Sequence, residues 1–438
     1  MSGGEFRPLS QNLESGAQYG ALLGLELDEI LPVMGAVEEA AAPRLGRDPD
    51  PRAPDSLSST RQAHVRIVER GRFLSRLEIH SKREMPRMMK RKLSFFAPLW
   101  LLALSLPASA SDGVLEINQA CATATGCFSG DSPGFPVTID GSAGRSYRLT
   151  SDLAVGAPNV DGLVLATSRL TLDFNGFSLV GYPLGTGTGR GVVGSGTQGA
   201  FADLTTLKNG TIRGARGLGV ELTGSSGVQI ENMVIDFNAG GGISLGERAQ
   251  VLRCRLSTNG SSTASGIVAA DRAMISENTV SDSGRYGIST GLASTIRGNS
   301  VSGSPLVGIL VGTASVVAGN AVYDSATYGI DSAAGSTISG NTISASGNSG
   351  IRTGEGSMVS GNSVFANGTG GISVLKGAYV LNNAVRDNGG PGLIFTGSAA
   401  YRGNSITNNA VDQIAGAGAW DRGENFCDGP GVSSVFCP

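Results

Sequence analysis

One pattern of apolar and small polar positions repeats every 21 residues through the C-terminal part of the chain. Asparagine returns at one position of each repeat: Asn278, Asn299, Asn320, Asn341, Asn362, Asn383, Asn404 and Asn425. Glycine followed by Ile or Leu keeps the same period at Gly287, Gly308, Gly329, Gly350, Gly371 and Gly392. A third position is short and polar: Ser283, Ser304, Ser325, Ser346, Asn367, Asn388 and Asn409. Three positions that share one period predict a solenoid in which each repeat is one coil.

The residues inside one repeat indicate the type of solenoid. Repeat 300–320 holds three short apolar runs separated by Gly, Ser, Asn or Pro, and none of these runs is long enough for a helix. Leucine-rich repeats can have a similar length, but leucine is sparse here. Three short strands per coil predict an all-β, single-stranded right-handed parallel β-helix. Each strand would pair with its counterparts roughly 4.8 Å above and below.

We expect the asparagine column to be structural. Asparagine tolerates the left-handed backbone region better than other residues with a side chain, so we place it at a tight turn between two strands. Stacked side-chain amides can then hydrogen-bond to each other along the axis, as in cross-β ladders. The Ile and Val columns would point inward and form a continuous apolar core.

The N-terminal part of the chain has a different character. Residues 1–87 are rich in charge and lack the β pattern. A basic start (88–92), an apolar run (93–106) and small residues ending at Ala110 follow, as in a secretory signal peptide. The apolar run is short for a transmembrane span, so residues 88–110 predict export to the periplasm or the medium.

A signal peptide belongs at an N-terminus, so we expect translation to start at Met88 or Met89. Residues 1–87 would then be a spurious or disordered extension, and the rival interpretation is a long cytoplasmic extension with an internal anchor helix. After cleavage near Ala110, we expect an entry segment or cap at 111–144, the β-helix at 145–425 and a C-terminal disulfide cap at 426–438.

All five cysteines follow the predicted signal peptide, which fits an oxidising compartment. Cys121 and Cys127 lie close together near one end, and Cys427 and Cys437 lie close together at the other. We predict one disulfide from each pair, because each would close a local loop where a solenoid needs a cap. Cys254 lies within the β pattern, where a free cysteine behaves as a small apolar residue.

Composition supports a coil-rich β-solenoid and argues against some partners. The chain has 67 glycines, 5% aromatic and 16% charged residues, and a net charge of −3. Its apolar positions are periodic, which is not typical of disorder. It has no basic patch with interleaved aromatic residues, so we expect no nucleic-acid partner.

The chain resembles the right-handed parallel β-helix superfamily with the pectate-lyase-like fold, over roughly residues 145–425. The resemblance rests on the segment Leu172-Asp173-Phe174-Asn175-Gly176-Phe177 and on the Asn-x-Val and Gly-Ile repeats. Phe177 stands where such segments commonly have His. The resemblance implies the fold, but its known members include lyases, hydrolases, epimerases, tailspike glycosidases and non-catalytic surface proteins. The reaction therefore does not follow from it.

Several chemistries of that superfamily fit this chain poorly. Both histidines, His64 and His80, precede the predicted signal peptide, and residues 111–438 contain no Asp-Asp pair. Hydrolysis by paired carboxylates with a helper His, and epimerisation by a catalytic His, are therefore disfavoured. A calcium-dependent lyase needs clustered carboxylates and a base, yet the acidic residues here are scattered. We predict no metal or other cofactor, with calcium entering only if the protein is a lyase.

Counting along the repeat places several charged side chains on one outer face. The residue after each inward Ile forms an outward column: Ser289, Leu310, Asp331, Arg352, Ser373 and Ile394. Asp331 and Arg352 are thus stacked neighbours, as are Glu355 and Lys376 a few positions further on. As candidate catalytic residues we take Lys376, a base for β-elimination, and Arg352. As candidate substrate-binding residues we take Asp331, Glu355, Tyr328 and Tyr286.

A second candidate groove uses the Gly- and Thr-rich excursion at 182–199 together with Arg190, Arg213 and Arg216. Two functions remain open. The first is a non-catalytic, monomeric protein that binds polysaccharide or a cell-envelope glycan, or serves as a surface protein, without a membrane anchor after cleavage. The alternative is a polysaccharide lyase that acts on uronic-acid polymers such as pectate or alginate.

Overall fold

The computed structural model describes residues 113–142, 145–182, 185–195, 202–261 and 263–429. These residues form a parallel β-solenoid of about 13 turns with about 21 residues per turn, as the sequence predicts. Most coils contribute one short strand to each of three parallel sheets, which we call sheets A, B and C in the order in which a coil passes through them. The one described helix, Gln119–Ala124, is capped by Asn118 and lies in the first coil.

The strands of the three sheets are short, because a tight turn follows every few residues. Sheet A contains Val137–Ile139, Leu163–Leu165, Val192–Gly194, Leu218–Leu222, Gly241–Leu245, Ile267–Ala269, Tyr286–Thr290, Val307–Val311, Ile330–Ser332, Ser349–Thr353 and Gly370–Leu375. Sheet B contains Leu115–Ile117, Ser146–Leu149, Thr171–Asp173, Gln250–Leu252, Met274–Ser276, Thr295–Arg297, Val316–Ala318, Thr337–Ser339, Met358–Ser360 and Tyr379–Leu381.

Sheet C contains Leu153–Ala154, Ser178–Val180, Arg255–Ser257, Thr279–Ser281, Ser300–Ser304, Ala321–Ser325, Thr342–Ser344, Ser363–Phe365, Ala384–Arg386, Ser405–Thr407 and Phe426–Asp428. Four longer strands continue through a corner. Thr206–Arg213 and Gln229–Asp236 run from sheet B into sheet C, and Leu393–Arg402 and Ile414–Asp421 run from sheet A into sheet B.

The register confirms the predicted inward columns. Each residue of one column in sheet A pairs with the next along the axis, and all of these side chains are fully buried: Ile288, Ile309, Ile330, Ile351, Ile372 and Leu393. Sheets B and C supply similar columns of Ile and Val to the same interior. Because every coil places its apolar residues at the same height, the core is continuous along the axis.

The asparagine column forms the predicted hydrogen-bonded ladder. Asn299 donates from its backbone N–H and from Nδ2 to Oδ1 of Asn320, at 2.9 and 3.0 Å, and Nδ2 also donates to the carbonyl of Ile275 at 2.9 Å. The same arrangement runs from Asn278 to Asn425. At its N-terminal end the backbone N–H of Cys254 donates to Asn278.

The backbone of the ladder asparagines differs from the prediction. The left-handed residue is the one before each asparagine, such as Glu277 (φ 58°) or Gly298 (φ 63°), and no ladder asparagine has a positive φ. The prediction that asparagine itself occupies the left-handed position is therefore wrong. The chain turns at the preceding residue, which points outward, and the asparagine that follows turns its amide into the interior.

The third predicted column forms a second ladder at the corner between sheets C and A. Asn367 Nδ2 donates to Asn388 at 2.9 Å, Asn388 donates to Asn409, and Asn409 donates to Gln413. In the four coils before Asn367 the column holds buried serines whose hydroxyls have no hydrogen-bond partner: Ser283, Ser304, Ser325 and Ser346. A further serine ladder, which the sequence pattern did not reveal, comprises Ser294, Ser315, Ser336 and Ser357.

Both ends of the described coils differ in detail from the expected boundaries. Parallel pairing already starts at Leu115, whose strand pairs with Ser146–Leu149, so the coils begin before residue 145. The helix is an insertion in this first coil. At the other end Phe426–Asp428 still pairs with Ser405–Thr407.

The predicted disulfide between Cys121 and Cys127 is confirmed. Cys437 lies outside the described residues, so its pairing with Cys427 stays a prediction, as do the assignments for 1–87 and 88–110. Cys254 is free and buried in the core, as predicted. No helix in the described part of the chain is long and apolar enough to cross a membrane.

Candidate functional site

The outer face of sheet A carries the predicted column of outward side chains. Register pairs Leu310 with Asp331, Asp331 with Arg352, and Arg352 with Ser373. Asp331 is only 9% exposed although it lies on the outer face, because Arg352 covers it. The stacking of a carboxylate beneath a guanidinium follows from the 21-residue period, which places the two residues on adjacent rungs.

Arg352, Asp331 and Tyr328 form one compact cluster, which we call the Arg352 platform. Arg352 Nε donates to Asp331 Oδ1 at 2.9 Å, and Nη2 donates to the other carboxylate oxygen. The guanidinium also lies over the Tyr328 ring, 4.1 Å from its centroid, and Nη1 donates to the Tyr328 hydroxyl at 3.2 Å. The hydrogen bonds to Asp331 raise the pKa of Arg352, so its charge is fixed.

Lys376 and Glu355 form a separate ion pair. Lys376 Nζ lies 3.2 Å from Glu355 Oε1, and both side chains are more than half exposed. Exposed pairs of this kind contribute little to stability. The Lys376 side chain faces a carboxylate on the adjacent rung. The predicted neighbours are thus adjacent, and the catalytic role of Lys376 stays a prediction.

Tyr286 does not join the platform. It lies two rungs before Tyr328 in the same column, about 9.6 Å along the axis, with Val307 between them. The guanidinium of Arg285 covers the Tyr286 ring at 4.7 Å from the centroid. Sheet A therefore carries two aromatic rings, each with an arginine beside it, on one outer face.

The second predicted groove is partly assembled. Arg190 forms ion pairs with Asp161 at 2.9 Å and Glu221 at 3.0 Å, and these interactions, led by the hydrogen bonds to Asp161, raise its pKa. Arg216 lines the same groove of about 560 Å³. Arg213 lies at the end of a sheet C strand, where it pairs with Asp236 in register, and it does not line this groove. The Arg190 guanidinium is therefore already paired with two carboxylates of this chain, Asp161 and Glu221.

A third groove contains functional candidates that the sequence analysis missed. It has a volume of about 800 Å³ and lies at the corner between sheets A and B in the N-terminal coils. Arg145, Arg169 and Arg248 line it together with a single carboxylate, Asp203. The spacing between these coils is irregular, so Arg169 and Arg248 share a column without sharing a sequence period.

Two other potential sources of chemistry are weak. No three His, Cys, Asp or Glu side chains converge among residues 113–429, within the part that the structure describes. Cys254 is buried, and burial raises the pKa of its thiol to about 11. A thiol that remains protonated at neutral pH is a poor nucleophile.

The family model for the right-handed β-helix region matches residues 190–294 and 289–427, which together exceed half of the chain. The chain therefore belongs to the right-handed β-helix family. A comparison with curated protein sequences finds no match.

Several solved structures are similar in architecture. The periplasmic alginate epimerase AlgG has 14% sequence identity and a TM-score of 0.44, with 64% of this chain and 75% of that chain covered. The A-module of the mannuronan C-5 epimerase AlgE6 of Azotobacter vinelandii has 17% identity and a TM-score of 0.46, with coverage of 65% and 91%. A tailspike protein variant of E. coli bacteriophage HK620 in complex with a hexasaccharide has 13% identity and a TM-score of 0.45, with coverage of 65% and 71%.

Proposed function

We propose that this protein is an exported, monomeric β-helix protein that binds a polysaccharide without catalysing a reaction. The observation that carries the proposal is the Arg352 platform. Its charged groups are already paired with each other, and the Arg352 side chain remains 45% exposed on the outer face of sheet A. Such a surface offers contacts to a ligand but no free acid or base.

The platform has features that suit a sugar chain. A guanidinium held by two contacts is preorganised, so little rotamer entropy is lost when a ligand hydroxyl or carboxylate binds. The adjacent Tyr328 ring combines an apolar face with a polar hydroxyl. Tyr286, two rungs away in the same column, repeats the pairing of ring and arginine. A polymer laid along the axis would meet both rings in succession.

The alternative function, a lyase acting on uronic-acid polymers, assigns different work to the same residues. It requires Lys376 to abstract a proton and Arg352 to stabilise the resulting charge, with calcium as a possible helper. The ion pairs Lys376–Glu355 and Arg352–Asp331 work against this, because each cation already contacts a carboxylate of this chain. We therefore propose Tyr286, Tyr328, Asp331, Arg352 and the Glu355–Lys376 pair as binding residues.

Export through cleavage of residues 88–110 is part of the proposal, and it rests on the sequence pattern at that segment. The disulfide between Cys121 and Cys127 supports it, since disulfides persist in oxidising compartments. N-terminal sequencing of the exported protein should begin near Ser111. Recovery of a peptide from residues 1–87 in that material would contradict the assignment.

The binding function can be tested with two matched substitutions. Arg386 on sheet C resembles Arg352, because it lies over the Phe365 ring at 4.5 Å and pairs with Asp387 at 2.6 Å. Affinity electrophoresis against neutral and acidic polysaccharides would compare Arg352→Ala with Arg386→Ala. We expect Arg352→Ala to weaken binding about tenfold, as for the loss of a charge-assisted hydrogen bond, and Arg386→Ala to bind as the unchanged protein does.

Equal binding by the two variants would remove the platform as the site. The same samples should be followed for the absorbance of an unsaturated product. Formation of such a product by the unchanged protein, with its loss in Lys376→Ala, would establish the lyase instead.

A further inference from the structure

We propose that the groove at the corner between sheets A and B of the N-terminal coils binds a linear acidic polysaccharide through Arg169 and Arg248. This inference rests on the proposed polysaccharide-binding function and names both a site and a chemical class for the ligand. We call the groove the corner groove; the side chains that matter for the argument are Arg145, Arg169, Asp203, Leu204, Ser226 and Arg248.

The charge balance of the corner groove favours an anion. Arg169 makes no side-chain hydrogen bond or ion pair with any described residue, and Arg248 donates only to the Ser226 hydroxyl at 3.1 Å. Arg145 donates to the Thr167 hydroxyl at 3.0 Å. Asp203, the sole acid lining the groove within the described residues, already accepts the backbone N–H of Ser226 at 2.6 Å. Three guanidiniums thus face one carboxylate.

The spacing of the two arginines fits an extended polymer rather than a small ion. Strand pairing joins Thr171 to Thr206, Thr206 to Gln229, and Gln229 to Gln250. The residues two positions before each of these therefore also form one column: Arg169, Leu204, Gly227 and Arg248. Arg169 and Arg248 are therefore three rungs apart, about 14 Å along the axis. Each arginine can bind a carboxylate in bidentate fashion. A chain that bridges both must lie parallel to the axis.

The middle of the groove suits the ring of a sugar. Leu204 lies on the rung after Arg169 and is 57% exposed. Gly227 occupies the next rung, and the Leu204 side chain lies over it, because a Cβ there would meet Leu204 Cδ2 at 2.7 Å. A pyranose ring has an apolar face that can pack on Leu204, while its hydroxyls can reach Ser226 and Gln250, which also line the groove.

The backbone at this corner is left-handed in successive coils. Arg169, Leu204 and Arg248 have left-handed φ values of 60°, 53° and 56°. Further along the same corner, Gly335 and Gly356 occupy this position at φ 67° and 63°. A side chain in the left-handed region carries an energetic cost that glycine avoids. Arg272, Ala293 and Ala314 continue this left-handed column beyond the groove at φ 59°, 53° and 57°, so the conformation is a property of the whole corner and explains why glycine is tolerated there.

A polysaccharide is favoured over a nucleic acid. Single-stranded nucleic acid is held by base stacking on aromatic rings together with many cationic contacts. The described residues that line the corner groove include no aromatic side chain and only three arginines. A sugar acid requires neither stacking nor dense positive charge.

The test compares Arg169→Gly/Arg248→Gly with Arg272→Gly. Arg272 lies in the same column with φ 59°, but it is paired with Glu247 at 2.6 Å and does not line the groove. Glycine suits the left-handed position, so both variants should fold with an unchanged or higher unfolding midpoint. Isothermal titration would use galacturonate oligomers of increasing length, with dextran sulfate as a second anionic probe and single-stranded DNA as the competing class.

We expect the double variant to bind galacturonate oligomers at least tenfold more weakly than the unchanged protein and with a flatter salt dependence. Arg272→Gly should bind normally. Affinity should rise steeply once the oligomer is long enough to bridge both arginines. Arginine-dependent binding of dextran sulfate would likewise support the site, with sulfate as the anionic group.

Each contrary outcome has a distinct meaning. If the unchanged protein binds acidic oligomers and the double variant binds them equally well, the corner groove is refuted while polysaccharide binding stands. If the unchanged protein binds only neutral polysaccharides, the corner groove is likewise refuted and polysaccharide binding stands. If the unchanged protein binds no polysaccharide, both the proposed function and this inference fail. Stronger arginine-dependent binding of DNA than of any sugar polymer would overturn the ligand class.

Discussion

Asn341 lies in the middle of the main asparagine ladder, and its truncation tests how the fold is held together. Its Oδ1 accepts the backbone N–H and Nδ2 of Asn320, at 2.9 and 3.0 Å. Its Nδ2 donates to the carbonyl of Val317 and to Asn362 Oδ1, both at 2.9 Å. The residue is 1% exposed, so water cannot replace these partners.

Asn341→Ala removes all four hydrogen bonds at once. At about 1 kcal/mol net for each, the free energy of unfolding should fall by about 4 kcal/mol. This is a large part of the stability of a typical domain, which is roughly 5–15 kcal/mol. A small cavity adds to the cost, because the neighbouring coils keep their register.

Equilibrium denaturation followed by circular dichroism measures the effect, and Asn348→Ala in the same coil is the control. The Asn348 side chain is half-buried and makes no hydrogen bond to another described residue, so its truncation should change stability by no more than about 0.5 kcal/mol. A difference of less than about 1 kcal/mol between the two variants would refute the structural role of the ladder.

Three further predictions concern the interior and the N-terminal end. Ser346→Asn should raise the free energy of unfolding by about 1 kcal/mol, because the new amide can bond to Asn367 in place of a hydroxyl without a partner; destabilisation in the same denaturation assay would contradict this. The Cys254 thiol has an ordinary pKa of 9.0 and a folded pKa of about 11, raised chiefly by burial. Between these values the unfolded chain loses a proton that the folded chain keeps, so stability should fall as pH rises, by up to roughly 3 kcal/mol; an identical pH profile for Cys254→Ala would exclude this. Replacing both Cys121 and Cys127 by Ser should cost about 2 kcal/mol from the short closed loop and leave polysaccharide binding intact; a loss of binding in folded protein would contradict the separation of the two roles.

The 21-residue period was sufficient to predict the fold and one cluster of side chains. Inward columns must repeat at the same height in every coil, so a strict period indicates both the core and the ladder. The same count predicted that Asp331 and Arg352 are neighbours, and the structure adds that Tyr328 completes the platform.

Other features depend on information that the period does not carry. The left-handed turn falls on the residue before each ladder asparagine, because the asparagine itself must face inward. The corner groove escaped detection because Arg169 and Arg248 are separated by coils of unequal length. Only strand pairing shows that they share a column. The pairing of Leu115–Ile117 with the next coil leaves no regular spacing in the sequence, because a helix follows this strand.

The most direct test of the proposed function is a titration of the purified, unchanged protein with neutral and acidic polysaccharides, read by calorimetry and by product absorbance in the same sample. We predict saturable binding to at least one polysaccharide and no change in absorbance over time. The absence of binding to every polymer would contradict the assignment as a binding protein. A steady rise in the absorbance of unsaturated product would show instead that the protein is a lyase.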